Sequence, residues 1–193
     1  MVSDGLAHLA KHDTVQDKLI EEIKEHCESG EIHQETLNQM EYLDAVVNEM
    51  LRYCGPVSMQ SREIKSPVKF NNDFEIKASQ DLPVTVLILL RNINFDKAIW
   101  GDDAQDFKPE RFMKENINSS KQINVASFSH GPRACIGKNL AKISMKTELI
   151  YLFRDFKLEC EENLENREMS EKVITQFKTE PLISIKSHSK YFR

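Results

Sequence analysis

The segment of residues 128–137 limits the possible fold and function of this chain more than any other feature of the sequence. It reads Phe-Ser-His-Gly-Pro-Arg-Ala-Cys-Ile-Gly and is followed at once by an apolar pattern of helical spacing. Cys135 is therefore predicted at a helix N-terminus, where free backbone N–H groups and a partial positive charge favour a thiolate over a thiol. Arg133 can pair with an anionic group. Gly131 and Gly137 let the backbone pass close to a flat or bulky partner.

A thiolate held in this way suits the iron of a haem, to which it donates electron density. The alternative is a buried structural cysteine, which is the commoner fate of a single cysteine. The pattern alone leaves both interpretations open. The chain has four cysteines, which lie far apart and form no CxxC pair or zinc-type spacing: Cys27, Cys54, Cys135 and Cys160. With no signal peptide at the N-terminus, this usage predicts a reducing compartment.

The composition predicts a soluble globular protein with a real core, since 40% of the 193 residues are hydrophobic and 30% are charged. The formal net charge is -5, and acidic and basic residues alternate along the chain. We therefore expect no nucleic-acid partner. The longest apolar run, residues 84–90, is far too short to cross a bilayer, so no membrane span is expected in this chain.

Hydrophobic periodicity predicts long helices near residues 14–28, 38–53 and 138–154. Asp13 is predicted to cap the first helix, with Gln16 three residues later. The second helical stretch extends from about Glu35 to Tyr53 and is ended by Gly55 and a proline.

Strand signals follow the second helix. The run Asn71-Asn72-Asp73 between two short apolar segments, 68–70 and 74–76, predicts a hairpin. The apolar run from 83 to 90 predicts a buried strand, and residues 173–177 and 182–185 predict short strands in the tail. Together these form a small antiparallel sheet. Residues 100–127 are expected to be an irregular meander leading to the cysteine, anchored by three aromatic side chains: Trp100, Phe107 and Phe112.

The cysteine segment resembles the haem loop of cytochromes P450, F-x-x-G-x-R-x-C-x-G. The fixed positions are matched by Phe128, Gly131, Arg133, Cys135 and Gly137. The resemblance implies that Cys135 is the catalytic residue of the site and the proximal thiolate ligand of haem b iron. It also implies that Arg133 binds a haem propionate, and that Phe128 packs beside the sulfur and tunes its electron donation.

Two further motifs carry the same resemblance. Glu49-Met-Leu-Arg52 is similar to the family's E-x-x-R pair, and Pro109-Glu110-Arg111-Phe112 to its P-E-R-F segment. Taken alone, a pair three residues apart is most often a solvated surface pair. The resemblance implies instead that Glu49, Arg52 and Arg111 form a buried charge network that braces the haem-binding core.

Two other positions are compared with the family. Arg62 precedes the predicted hairpin, where the family often places a second propionate-binding residue, although no motif fixes its register. The family commonly has a His-Arg pair where this chain has Asn94-Phe95, so no propionate contact is expected there.

The resemblance extends from about Leu6 to Lys186 and implies the C-terminal, haem-binding part of a cytochrome P450 domain for residues 1–193. The implied fold is α+β and mainly helical, with a small antiparallel sheet and a meander before the cysteine loop. The family's A/G-G-x-D/E-T run, which activates oxygen, does not occur in this sequence. We therefore expect that this polypeptide alone hydroxylates nothing.

The implied activity of a longer parent is haem-thiolate monooxygenation, in which one oxygen atom of O2 enters a small organic substrate and a reductase supplies electrons. The alternatives are a truncated, non-catalytic haem-binding fragment and a haem-thiolate isomerase. The implied location is intracellular, for the parent the cytosolic face of the endoplasmic reticulum membrane. Lys138 and Lys142 are candidate contacts for an acidic redox partner. His8 and His12 lie one helical turn apart but lack a third metal ligand, so solvated positions are expected.

Overall fold

The computed structural model describes residues 2–27, 31–71, 73–116, 125–164, 169–171 and 175–187. The α-helices are α1 (Val2–Leu9), α2 (Asp13–His26), α3 (Gln34–Gln39), α4 (Glu41–Tyr53), α5 (Leu90–Asn94), α6 (Lys97–Trp100) and α7 (Lys138–Asp155). Single 3-10 turns cover Pro109–Phe112, Ala126–Phe128 and Gly131–Arg133. The strands are β1 (Met59–Ile64), β2 (Val68–Lys69), β3 (Glu75–Ile76), β4 (Val84–Leu89), β5 (Phe156–Glu159), β6 (Met169–Glu171), β7 (Thr175–Phe177) and β8 (Ser184–Ser187). The predicted α+β, mainly helical fold is confirmed.

The main core lies between α2, α4 and α7, because each helix presents apolar side chains three and four residues apart on one face. These buried side chains include Leu19, Ile23, Leu43, Val46, Val47, Met50, Leu149, Ile150 and Phe153. The core fixes the direction of α7, which begins three residues after Cys135.

The start of α2 differs from the prediction. Asp13 is the first residue of the helix, and His12 occupies the N-cap position without a side-chain cap. The reason is that the backbone N–H groups of Val15 and Gln16 donate to the His12 carbonyl, at 3.0 and 3.1 Å. The predicted capping role of Asp13 is therefore wrong.

The second predicted helix is two helices. The break falls at Met40, whose backbone is extended at φ -80° and ψ 91°. Glu22 of α2 accepts hydrogen bonds from the backbone N–H groups of Tyr42 and Leu43, both at 2.7 Å. A carboxylate from another helix thus satisfies the first turn of α4, which no local pattern could reveal.

The strands form antiparallel pairs instead of the single small sheet that the sequence predicts. The pairs are β1 with β4, β2 with β3, β5 with β8, and β6 with β7. The predicted hairpin is confirmed, since Val68 pairs with Ile76 and the Phe70 N–H donates to the Phe74 carbonyl at 2.8 Å. Strand β1 was not predicted, because its sequence, Met-Gln-Ser-Arg-Glu-Ile, is largely polar.

Strand β4 is not the buried strand that its composition predicts. Its only partner among the described residues is β1, and alternate residues remain exposed, with Leu87 61% and Leu89 46% accessible. A two-stranded ribbon cannot cover both of its own faces, so apolar composition here does not produce burial.

The predicted anchors of the meander are confirmed. Trp100, Phe107 and Phe112 are all buried, and the rings of Trp100 and Phe112 lie 5.7 Å apart. Part of the predicted meander, residues 117–124, lies outside the described residues, as do residues 173–174 of the predicted tail strands. The remaining tail prediction is confirmed by β7 and β8.

Candidate functional site

The cysteine loop is closed by its own backbone. The N–H of Cys135 donates to the carbonyl of Phe128 at 2.9 Å, and the carbonyl of Cys135 accepts from the N–H of Lys138 at 3.3 Å. Cys135 is exposed. The first bond fixes the cysteine to the start of the loop, and the second fixes it to the first residue of α7. The cysteine is therefore hydrogen-bonded to the first residue of a long helix that is itself packed in the core.

Two residues of the loop have left-handed backbone. Gly131 has φ 76°, and a side chain there would meet no atom within 4 Å. Ser129 has φ 59°, a conformation that is strained for a residue with a side chain. Residues 130–136 are all exposed, including the apolar side chain of Ile136. The loop therefore presents an open surface around the cysteine.

The four cysteines differ sharply in environment. Cys27, Cys54 and Cys160 are buried, whereas Cys135 is exposed. Burial raises the pKa of the Cys54 thiol far above its ordinary value, and burial also raises the pKa of Cys27. Buried thiols of this kind remain protonated and unreactive. Cys135 is therefore the cysteine best placed to bind a partner that arrives from outside.

Arg62 and Arg133 lie on different elements but line the same open cleft, together with Gln60, Ser61 and Glu63. Arg62 Nη2 donates to Ser129 Oγ at 3.3 Å, which ties strand β1 to the cysteine loop. The cleft thus holds two guanidinium groups beside the loop, with one carboxylate, which pairs with Lys65 at 3.1 Å.

Phe128 is half-buried and packs against the main core. It lines a pocket together with Leu51 and Phe112. The same pocket is lined by Lys142, whose Nζ donates to Asn48 Oδ1 at 2.6 Å. Burial lowers the pKa of Lys142. The hydrogen bond to Asn48 holds the Lys142 ammonium against α4. Lys138, the other lysine predicted to contact a redox partner, is exposed.

Arg52 uses all five of its N–H donors in buried hydrogen bonds. Nε and Nη2 donate to the two carboxylate oxygens of Glu49, at 2.7 and 2.8 Å. Nη1 donates to the carbonyls of Asn94 and Ala104, at 2.7 and 2.8 Å, and Nη2 donates to the carbonyl of Asp106 at 2.9 Å. One side chain of α4 thus binds the backbone just before the meander, at Asn94, and in its first part, at Ala104 and Asp106.

Arg111 completes the network. Its Nε donates to Glu49 Oε1 at 3.2 Å, and its Nη1 donates to Asp103 Oδ1 at 3.3 Å. Glu49 also accepts from the backbone N–H of Lys108 at 2.7 Å. The structure therefore brings together the three residues predicted as a charge network and adds Asp103, whose pKa is lowered, first by the hydrogen bond from Lys108 and then by Arg111.

Two residues that the sequence analysis did not assign to the site connect this network to the cysteine loop. Asn94 is buried and hydrogen-bonds Ala126 and Ser127, just before the loop. Gly55 follows α4, and a Cβ at this position would lie 2.6 Å from Ser127 Oγ and 2.8 Å from the carbonyl oxygen of Leu51. Two features of the sequence could have pointed to these residues. Asn94-Phe95 departs from the family's His-Arg pair, and Gly55 was predicted only to end a helix.

The histidines of α1 lie apart from this site. His8 is half-buried, with its ring centroid 4.7 Å from Tyr53 and 6.1 Å from Phe107. Burial lowers the pKa of His8 to about 4, with further contributions from His12 and Arg91. The expectation of a solvated side chain is wrong for His8, because the aromatic rings cover it. Within the described residues, no group of three or more metal-binding side chains occurs.

The residues around Cys135 fit a haem. The loop offers one accessible sulfur, an open exposed backbone around Gly131, the apolar side chain of Ile136, and a cleft with two arginines. A haem is a flat apolar ring with an iron at its centre and two carboxylates at one edge. Sulfur, apolar surface and guanidinium groups are the matching partners for these three parts.

Sequence comparison identifies the class of protein. The profile of the family described as "Cytochrome P450" matches residues 2–185. The chain belongs to the cytochrome P450 family.

Similarity to individual curated proteins supports the same family. The chain is 36% identical over 151 residues to "Cytochrome P450 709B1" of Arabidopsis thaliana, covering 77% of this chain and 28% of that protein. It is 30% identical over 183 residues to "Probable cytochrome P450 313a2" of Drosophila melanogaster, covering 93% and 36%. It is 32% identical over 187 residues to "Lithocholate 6-beta-hydroxylase" of Mesocricetus auratus, covering 96% and 36%. The chain thus spans about a third of the length of these relatives.

Among the described helices, none combines the length and the apolar character needed to cross a bilayer.

Proposed function

We propose that the protein provides the thiolate side of a haem-thiolate monooxygenase site, with the sulfur of Cys135 as the axial ligand of haem b iron. One observation carries the proposal: Cys135 is the exposed cysteine of the four, and backbone hydrogen bonds fix it between Phe128 and the start of α7.

The two arginines of the open cleft are proposed to bind the haem propionates. Arg133 belongs to the loop itself, and Arg62 reaches the loop through its hydrogen bond to Ser129 Oγ at 3.3 Å. A guanidinium group can hold a carboxylate through two parallel hydrogen bonds, which fixes orientation as well as charge. Glu63 in the same cleft is engaged by Lys65, so the positive character of the two arginines is retained.

The charge network is proposed to keep the loop rigid. Arg52 and Arg111 bind backbone carbonyls in the first part of the meander, at Ala104, Asp106 and Asp103. Glu49 binds both arginines, so we propose that α4 stabilises the loop through this network. A bound haem supplies the oxygen chemistry, in which one atom of O2 enters an organic substrate and a reductase supplies the electrons. The protein's own residues supply the ligand, the orientation of the cofactor and the rigidity of the loop.

The substrate is proposed to be a small organic molecule that is hydroxylated. The support comes from relatives, one of which carries the name lithocholate 6-beta-hydroxylase. For the electron donor we propose an acidic reductase surface that meets Lys138, since this lysine is exposed beside the cysteine loop.

The test is the carbon monoxide difference spectrum of the reduced, haem-loaded 193-residue chain, recorded for the wild type, Cys135→Ala and Cys160→Ala. The red-shifted Soret band of a thiolate ligand is expected in the wild type and in Cys160→Ala, and its loss is expected in Cys135→Ala. Failure to take up haem, or the same spectrum in all three proteins, would overturn the proposal. Reductase-dependent oxidation of a substrate by this chain alone would contradict our expectation that it hydroxylates nothing by itself.

A further inference from the structure

Asn94 is a buried polar residue, only 3% exposed, at the C-terminal end of α5. Its Oδ1 accepts from the backbone N–H of Ala126 at 3.0 Å, and its Nδ2 donates to Ser127 Oγ at 3.2 Å. Because a backbone N–H can only donate, the orientation of the amide is fixed by its partners. The side chain therefore acts as acceptor and donor toward two consecutive residues of one segment.

The main chain of Asn94 belongs to the charge network. Its carbonyl accepts from Arg52 Nη1 at 2.7 Å. Ser127 is held from the same direction, since its Oγ donates to the carbonyl of Leu51, the residue before Arg52. Asn94 is thus the point at which the arginine network and the segment Ala126–Phe128 meet.

That segment controls the position of the cysteine. The N–H of Ser129 donates to the Ala126 carbonyl at 2.8 Å, and the N–H of Cys135 donates to the Phe128 carbonyl at 2.9 Å. The two residues held by Asn94, Ala126 and Ser127, directly precede Phe128. A shift of this segment would move the carbonyl to which the cysteine amide is bound.

We propose that Asn94 is a positioning residue that sets the place of Cys135 through the backbone of Ala126, Ser127 and Phe128. Its significance for a haem ligand rests on the proposed function, whereas its effect on the loop does not. The position requires both a donor and an acceptor on a short side chain, which an amide provides. Asn94 acts through Cys135 and is not itself assigned any contact with the cofactor.

Gln16 offers a matched control. It is also a fully buried amide, with Nε2 donating to the carbonyls of Leu9 and Leu158 at 3.0 Å each and Oε1 accepting from the Leu158 N–H at 2.8 Å. Its partners lie in α1 and β5, outside the cysteine loop. Asn94→Ala and Gln16→Ala each remove a buried amide, so both are expected to lower the free energy of unfolding.

The first readout needs no cofactor. Native-state hydrogen exchange of the Cys135 amide is measured in the wild type and both variants and is normalised to each variant's global unfolding. Asn94→Ala is expected to accelerate exchange of this amide at least about tenfold, and Gln16→Ala is expected to leave it within about twofold of the wild type. Equal exchange rates in the two variants would overturn the proposal.

The second readout is spectroscopic. In the haem-loaded chains, Asn94→Ala is expected to lower the fraction of the carbon monoxide adduct that shows the thiolate band at least about threefold, while Gln16→Ala retains it. An undiminished thiolate band in Asn94→Ala would show that Asn94 does not position the ligand. If the wild-type chain takes up no haem, the proposed function fails, and the exchange experiment still decides whether Asn94 positions the loop.

Discussion

Glu49 and Arg52 are joined by two parallel hydrogen bonds, Nε to Oε2 at 2.7 Å and Nη2 to Oε1 at 2.8 Å, and neither side chain is exposed. Both charged groups are buried. The remaining N–H groups of Arg52 donate to the backbone carbonyls of Asn94, Ala104 and Asp106. Such a pair stabilises a fold only while every member is satisfied. Removing either member of the pair is therefore expected to destabilise the segments bound to α4 as well as α4 itself.

Glu49→Ala is expected to lower the free energy of unfolding by about 3–5 kcal/mol, because it removes the carboxylate that Arg52 binds in the core and leaves Arg111 with Asp103 only. The measurement is urea unfolding followed by circular dichroism. Glu41→Ala is the control from the same helix, where the carboxylate pairs with the exposed Lys114 and is expected to matter far less. Equal losses in the two variants would contradict a special role for Glu49.

Gly55→Ala is expected to lower the free energy of unfolding by roughly 1–3 kcal/mol, because the added Cβ would overlap Ser127 Oγ and the Leu51 carbonyl. The Leu51 carbonyl is backbone and cannot rotate away. Gly137→Ala is the matched control, since its Cβ would lie 3.8 Å from Cys135 Sγ, an ordinary contact. The two variants are compared by thermal unfolding, and an equal fall in Tm would refute the steric argument.

Cys135 is expected to react with iodoacetamide at least about tenfold faster than Cys27 or Cys54 in the native, haem-free chain. The reason is that Cys135 is exposed, whereas burial hides the other two and raises the pKa of their thiols. Peptide mass spectrometry after timed quenching gives the rates. Comparable labelling of the buried cysteines under native conditions would mean that the core described here does not form.

His8 gives the protein a pH-dependent stability. Its folded pKa, about 4, lies below its ordinary value of 6.5 because of burial, so the folded state resists protonation. The stability contribution is fully present above pH 6.5 and is lost as the pH falls toward 4. Between about pH 6.5 and about pH 5.5 we expect up to about 1 kcal/mol of destabilisation from this group.

The check on His8 is a comparison of the wild type with His8→Phe, which keeps a ring against Tyr53 and Phe107. The variant should show a flatter dependence of the unfolding free energy on pH across that window. Parallel curves for the two proteins would rule out His8 as the titrating group.

The sequence predicts those parts of the structure that depend on local pattern or on a long motif. Helix α7, the hairpin of β2 and β3, and the three aromatic anchors follow from spacing and turn chemistry. The contact among Glu49, Arg52 and Arg111 was predicted from the resemblance of two motifs to the family. Spacing alone would have predicted a surface pair for Glu49 and Arg52.

The failures share a physical cause, which is that tertiary contacts override local signals. Glu22 caps α4 from another helix, so the break at Met40 has no local signature. Strand β4 has the composition of a buried strand, but its exposure depends on which layers cover it. Asn94 and Gly55 matter because Ser127, distant in sequence, packs against both.

Whether the sulfur of Cys135 binds the haem iron can be measured by X-ray absorption at the iron edge. We expect an iron–sulfur scattering shell in the haem-loaded wild-type chain and in Cys160→Ala, and its absence in Cys135→Ala. A sulfur shell that persists in Cys135→Ala, or a wild-type chain whose iron has only nitrogen and oxygen ligands, would show that Cys135 does not bind the iron.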